Sequence, residues 1–192
     1  GEMAFMLERR KGRQAPINDP SRNRILTLQL DQGQTQALER RVRAERVTLN
    51  SALQAALLRA VWLHLYQGEP GKLKFMFFQN LRPQLQPPQP DTTLGLYIAM
   101  LQGFARLQAE QDFWALARAI NQTVHQVARS GDKYCAVAFA DRLMRMLIQT
   151  RMMRMATTAL NYSGAINLAK TYGSIERLDV YGFVTNFELG PE

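Results

Sequence analysis

The chain has two histidines, His64 and His125, and neither has the neighbours that would make it a catalyst. An imidazole-activated nucleophile needs an elbow serine or cysteine beside the base, and a metal site needs several His, Cys or carboxylate ligands at helical or hairpin spacing. Neither pattern surrounds either histidine, so both read as ordinary side chains on helices and no metal is expected. The glycines Gly68 and Gly71, or Gly131 beside Asp132, are not followed by Lys-Ser/Thr and open no strand-to-helix turn, which argues against nucleotide hydrolysis. The carboxylates Asp31, Asp91, Asp141 and Asp179 are scattered, without the pairing that acid and base chemistry at a glycosidic bond requires. One corner suits a site: Asn80-Leu81-Arg82, where an apolar strand empties into the proline-rich run Pro83 to Pro90 and the ladder must end for want of amide donors.

Periodicity supplies the elements that hold this corner. Residues 1–23 are basic and polar, with Pro16, Pro20 and the loop-like Asn18-Asp19-Pro20-Ser21, and read as a flexible segment or linker ahead of a folded part over 24–192. Arg24 to Leu30 alternates, which predicts a half-buried strand with Leu26, Leu28 and Leu30 on one side. A short helix through Leu38 and Val42 to about Arg46 follows. The next helix has Thr48, Asn50 and Ser51 as competent caps, Leu53, Leu57, Val61 and Leu65 as its stripe, and a stop at Gly68-Glu69-Pro70-Gly71. Lys72 to Phe78 is a strand running from surface to interior, with Lys72 and Lys74 opposite Leu73, Phe75 and Phe77. Leu94 to Leu107 predicts another strand, Gly95 and Gly103 being bulges or points of close approach, with a helical reading left open. Asp112 caps a helix carrying Phe113, Leu116, Ile120 and Val127, and after Ser130-Gly131-Asp132 a longer helix reaches about Met155. Its methionines, among them Met144, Met146, Met152, Met153 and Met155, read as malleable core, or else as a wall for a long acyl chain. Thr157 to Tyr162 is a strand, Ser163-Gly164 a break, the stretch to Ser174 irregular, and Arg177 to Leu189 a closing β segment. The order predicts an α/β (α+β) fold, a mixed β-sheet covered by helices.

Of the 192 residues, 46% are hydrophobic and 21% charged, enough to bury a core in one domain. The net charge of +8 raises nucleic acid as a partner. The arginines are dispersed instead over a tail, one helix around Arg40, Arg41, Arg43 and Arg46, and another around Arg142, Arg145, Arg151 and Arg154, with no aromatics interleaved for stacking, so they read as solvated faces. The lone Cys135 permits no internal disulfide, and neither a membrane span nor an export signal is present, so the reducing cytoplasm is the expected location. The start at Gly1-Glu2-Met3 suggests a piece of something longer.

Five segments taken in order carry a resemblance: Thr48-Leu49-Asn50, Phe78-Gln79-Asn80-Leu81-Arg82-Pro83, Leu94-Gly95-Leu96-Tyr97, Phe113-Trp114 and Asn161-Tyr162-Ser163-Gly164. Over roughly 24–189 the chain resembles the C-terminal lobe of the condensation-domain and chloramphenicol-acetyltransferase-like superfamily of CoA-dependent acyltransferases, which includes alcohol acetyltransferases and polyketide-associated acyltransferases. The resemblance implies a two-lobed transferase with a tunnel between the lobes, a coenzyme A or phosphopantetheine thioester as co-substrate, and an N-terminal lobe as partner. In such families a His-His-x-x-x-Asp-Gly motif on the first lobe supplies the proton-accepting histidine. This chain lacks it, since four residues beyond His64 is Gly68 and four beyond His125 is Arg129; no catalytic residue is expected here, and the chain alone should be inactive. The resemblance places Arg82, next to Asn80, in an inter-lobe salt bridge with the motif's aspartate; the alternative is a solvated loop arginine. It places Asn161, Tyr162, Ser163 and Gly164 along the tunnel near the thioester, where polar groups could meet an oxyanion; the alternative is a strand end satisfying its own backbone. The stop at Pro191-Glu192 falls where homologues continue into closing strands, so association with a second chain or with itself is expected. A non-enzymatic interaction or dimerisation module on the same scaffold is the rival reading, and a basic nucleic-acid binder the third.

Overall fold

In the computed structural model, which describes residues 8–9, 27–150, 153–164, 169 and 171–176, three helices begin on side chains that satisfy amides a helix start leaves free. Asp31 opens α1 (Gln32–Ala44) with a reciprocal capping box, accepting from Gln34 N at 2.7 Å while its own amide donates to Gln34 Oε1 at 3.0 Å. Thr48 opens α2 (Leu49–Leu65), its Oγ1 accepting from Ser51 N at 3.2 Å. Asp112 opens α3 (Phe113–Arg129), accepting from Ala115 N at 2.7 Å. Past α2, Gly68 adopts a φ of +75° and its amide returns to Trp62 O at 3.2 Å, the expected stop.

The strands in chain order are β1 (Glu8–Arg9), β2 (Gly71–Asn80), β3 (Ile98–Leu107), β4 (Met153–Arg154), β5 (Thr158–Leu160), β6 (Thr171–Tyr172) and β7 (Ile175–Glu176). β2 lies between β3, its antiparallel neighbour with Phe75 opposite Gly103, and β5, its parallel neighbour with Phe77 opposite Leu160. The sheet is mixed, and the fold is mixed α/β. Leu73, Phe75 and Phe77 of β2 join Leu101, Ala105 and Leu107 of β3 in one core with Ala55, Leu58 and Trp62 of α2 and Leu116, Ala117 and Ile120 of α3. Gly103 is the point of closest approach: a Cβ there would stand 2.5 Å from Phe75 Cζ and 2.9 Å from Thr123 Cγ2, so the absent side chain lets α3 and the Phe75 ring meet across the strand.

Other elements differ from expectation. Residues 27–30 form no strand and Leu28 is 87% exposed, because alternation is stable only against a partner and none pairs with it among the described residues; Leu26 lies outside them. The buried face of α2 is Ala52, Ala55, Leu58 and Trp62, while Leu53 and Leu65 are exposed. This helix is apolar nearly all round, so leucine spacing does not select a face, and small alanines let it lie close to the sheet. Lys74, expected in solvent, is fully buried with its Nζ 5.4 Å from the Phe104 ring centroid. The predicted long helix is broken at Phe139 into α4 (Asp132–Ala138) and α5 (Ala140–Thr150), and Met153–Arg154, expected to be helical, pairs antiparallel with Glu8–Arg9. Met155 is buried and Met146 exposed, whereas the side chains of Met144, Met152 and Met153 lie outside what is described. Leu94–Tyr97 is loop and the strand begins at Ile98. At the end of the stretch expected to be irregular, β6 and β7 form a hairpin turned by Gly173 at a φ of +62°, while residues 165–168 and 170 lie outside the described residues. Arg177–Leu189 lies outside the described residues.

Candidate functional site

The site is built where β2 leaves the sheet. Asn80 Oδ1 accepts the Arg82 backbone amide at 3.0 Å, a turn-forming bond, and Pro83 then carries the chain into a single 3-10 turn over Arg82–Gln84. Buried Leu81 anchors this corner, its amide donating to Tyr97 O at 2.8 Å. The Arg82 side chain reaches over the proline-rich loop: Nη2 donates to Thr93 O at 2.8 Å, and the guanidinium carbon sits 4.5 Å from the Tyr97 ring centroid. The Arg82 carbonyl accepts from Gln89 N at 3.0 Å, so both ends of this residue hold the loop. Arg82 Nε is buried without a hydrogen-bond partner, and no carboxylate pairs with the guanidinium among the described residues. Arg82 is therefore half-buried and stapled to its loop, not a freely solvated side chain.

Tyr97 owes its position to Gly95. A Cβ at Gly95 would meet Tyr97 Cε2 at 2.7 Å and Cζ at 2.9 Å, so the ring folds onto bare backbone. Gly95 is foreseeable from sequence as a point of close approach. That Tyr97 and Thr93 are the partners of Arg82 is not, because nothing local links residues on opposite ends of a proline-rich loop.

Asn161, Tyr162, Ser163 and Gly164 follow β5 directly and are all exposed, with Gly164 at a φ of +67° and, among the described residues, nothing within 4 Å of where its Cβ would stand. β5 runs parallel to β2 with Leu160 opposite Phe77, so these residues and Asn80–Arg82 leave the same end of the sheet. No hydrogen bond joins the two groups among the described residues. β5 is held from its buried side by Gln54 of α2, whose Nε2 donates to Thr158 Oγ1 at 2.7 Å, a contact that sequence spacing does not reveal. His64 and His125 are exposed on α2 and α3. Among the described residues no cluster of His, Cys, Asp or Glu could hold a metal, and no helix is long and apolar enough to cross a membrane.

Among curated proteins none matches this chain. The solved structures similar to it include polyketide synthase associated protein 5 from Mycobacterium tuberculosis, at 21% identity and a TM-score of 0.46 over 61% of this chain and 34% of that one, and vinorine synthase, at 18% identity and 0.41 over 69% and 30%. The chain thus spans about a third of the length of the solved proteins it matches. The family profile for the phthiocerol/phthiodiolone dimycocerosyl transferase C-terminus matches residues 19–185, nearly the whole of the sequence, and the chain belongs to that family of acyltransferase C-terminal domains.

Proposed function

We propose that the chain is the C-terminal half of an enzyme that moves an acyl group from a coenzyme A or carrier-protein thioester to a hydroxyl or amine, with the proton-accepting histidine on a separate first lobe. The observation that carries this reading is Arg82. Its guanidinium is half-buried at the exit of β2 and has no carboxylate partner among the described residues, which leaves the exposed part of the cation available to an anion. An aspartate from a His-His-x-x-x-Asp-Gly loop would supply that anion and fix the histidine loop against this lobe. The histidine would then take the acceptor's proton as the acceptor attacks the thioester carbonyl, and the thiolate would leave from the tetrahedral intermediate. Asn161, Tyr162, Ser163 and Gly164, at the same end of the sheet, would line the crevice near the carbonyl, their polar groups facing the developing oxyanion. The single free cysteine, Cys135, suits a reducing compartment such as the cytoplasm.

The test is reconstitution: this chain and the corresponding first lobe are mixed with an acyl-CoA and an alcohol, and thiol release is followed. Neither half alone should turn over, the mixture should, and Arg82→Ala should lower the mixed rate by at least about tenfold. Full turnover by this chain alone would overturn the proposal. Association without any turnover would favour a non-enzymatic interaction or dimerisation scaffold.

A further inference from the structure

Glutamine is mostly a surface residue, yet Gln54 sits on the buried face of α2 with 1% of its surface exposed. Its two polar ends fare differently. Nε2 donates to Thr158 Oγ1 at 2.7 Å, while Oε1 is buried with no hydrogen-bond partner among the described residues. The bond made and the acceptor left unmet act in opposite directions, so the side chain adds little net stability, and an apolar side chain of similar length would fill the same space. What an apolar contact lacks is direction. The amide of Gln54 fixes where one hydroxyl of the sheet must lie, and α2 is itself tied down one turn earlier, where Ser51 Oγ donates to Asn121 Oδ1 of α3 at 3.0 Å.

The strand held in this way has few other restraints among the described residues. β5 spans only Thr158–Leu160 and pairs with β2 alone, in parallel, the less stable of the two strand pairings per residue. Ahead of it, Thr157 N donates to Lys74 O at 2.8 Å. The chain passes from Leu160 straight into Asn161–Gly164, so any shift of β5 along β2 is carried into those four residues. A slip of one residue would move them by about 3.3 Å and reverse the side to which each points. We infer that Gln54 is a positioning residue for the transfer reaction: through Thr158 it sets where Asn161, Tyr162, Ser163 and Gly164 stand at the exit of the sheet. The inference rests on the functional reading above and deepens it, because it names a residue that acts on those four from inside the lobe without touching substrate.

The experiment compares Gln54→Met, Thr158→Val, the double variant and Thr158→Ser in the reconstituted mixture, with thermal melts and amide hydrogen exchange of this chain in parallel. Each of the first two changes strands one buried polar partner and should lower the melting temperature, whereas the double variant replaces both by apolar groups of similar shape and should melt close to wild type. Its turnover should nevertheless stay at least about tenfold below wild type at saturating acyl-CoA, with KM within about twofold, as expected when groups that meet the oxyanion only in the transition state are displaced. Its β5 amides should exchange at least about tenfold faster while those of α3 keep the wild-type rate. Thr158→Ser keeps the acceptor and should hold turnover within about twofold of wild type. A double variant that melts and turns over like wild type makes Gln54 a packing residue and overturns the inference. Wild-type exchange of its β5 amides overturns it as well, whatever the turnover. An inactive wild-type mixture instead overturns the functional reading, and the role in transfer falls with it even where the β5 amides of the double variant exchange faster.

Discussion

Gly95 shows how one missing side chain sets the geometry of a neighbour two residues away. The Tyr97 ring occupies the space a Cβ would need, and the same ring supports the Arg82 guanidinium. In Gly95→Ala the tyrosine, being the mobile member, swings away, and Arg82 loses its aromatic support. Because Gly95 also holds a φ of +157° that an L side chain rarely adopts, stability should fall by about 1–3 kcal/mol, read in a thermal melt, and affinity for the proposed first lobe should fall with the loss of Arg82's support, read by titration calorimetry. Gly103 is the opposite case at the same scale. Its neighbours are the Phe75 ring and Thr123 of α3, inside the core and unable to retreat, so Gly103→Ala should cost about 1–3 kcal/mol of unfolding free energy in a denaturant titration. Gly103 was legible as a close-approach point because a glycine inside an apolar run marks a place where a side chain does not fit. The Arg82 to Tyr97 stack was not, because the contact depends on how a proline-rich loop folds back, which no local pattern encodes.

At the scale of elements, a single amide oxygen ties the start of α2 to α3 beside the apolar core the two helices share. Asn121 Oδ1 accepts from Thr48 N at 3.2 Å and from Ser51 Oγ at 3.0 Å, so the start of one helix is tied to the middle of the other. Asn121→Leu removes this acceptor, leaving the partly buried Ser51 hydroxyl without it while the exposed Thr48 amide turns to water. A loss of about 1–3 kcal/mol is expected, seen as a lower denaturant midpoint at an unchanged slope. Helix starts at Thr48 and Asp112 and strands β2, β3 and β5 were readable because caps and alternation are local properties. The face of α2 was not readable, since a helix rich in alanine and leucine all round is oriented by the sheet it meets. The break at Phe139 was likewise hidden: the apolar run across it continues, and neither glycine nor proline marks it. Leu28 and Leu30 show the converse, a local alternation with no ladder to join among the described residues.

At the scale of the molecule, a binding partner that recognises only the folded lobe should stabilise it by mass action. The proposed first lobe, at a hundredfold its dissociation constant, should add about 2.7 kcal/mol, raising the melting temperature of this chain, and Arg82→Ala should abolish much of that rise. The parallel pairing of Phe75 with Thr158 has a further consequence, one of timing. A growing polypeptide that has left the ribosome as far as α5 already contains Arg82 and Tyr97, yet the neighbour of β2 on its other flank has not been synthesised. Such a long-range closure is slow and comes after the local helices and the β2–β3 pair. The flank of β2 that β5 covers is thus closed later in biosynthesis than the flank that β3 covers, and premature termination before Thr158 would release a product with β2 laid bare on that side.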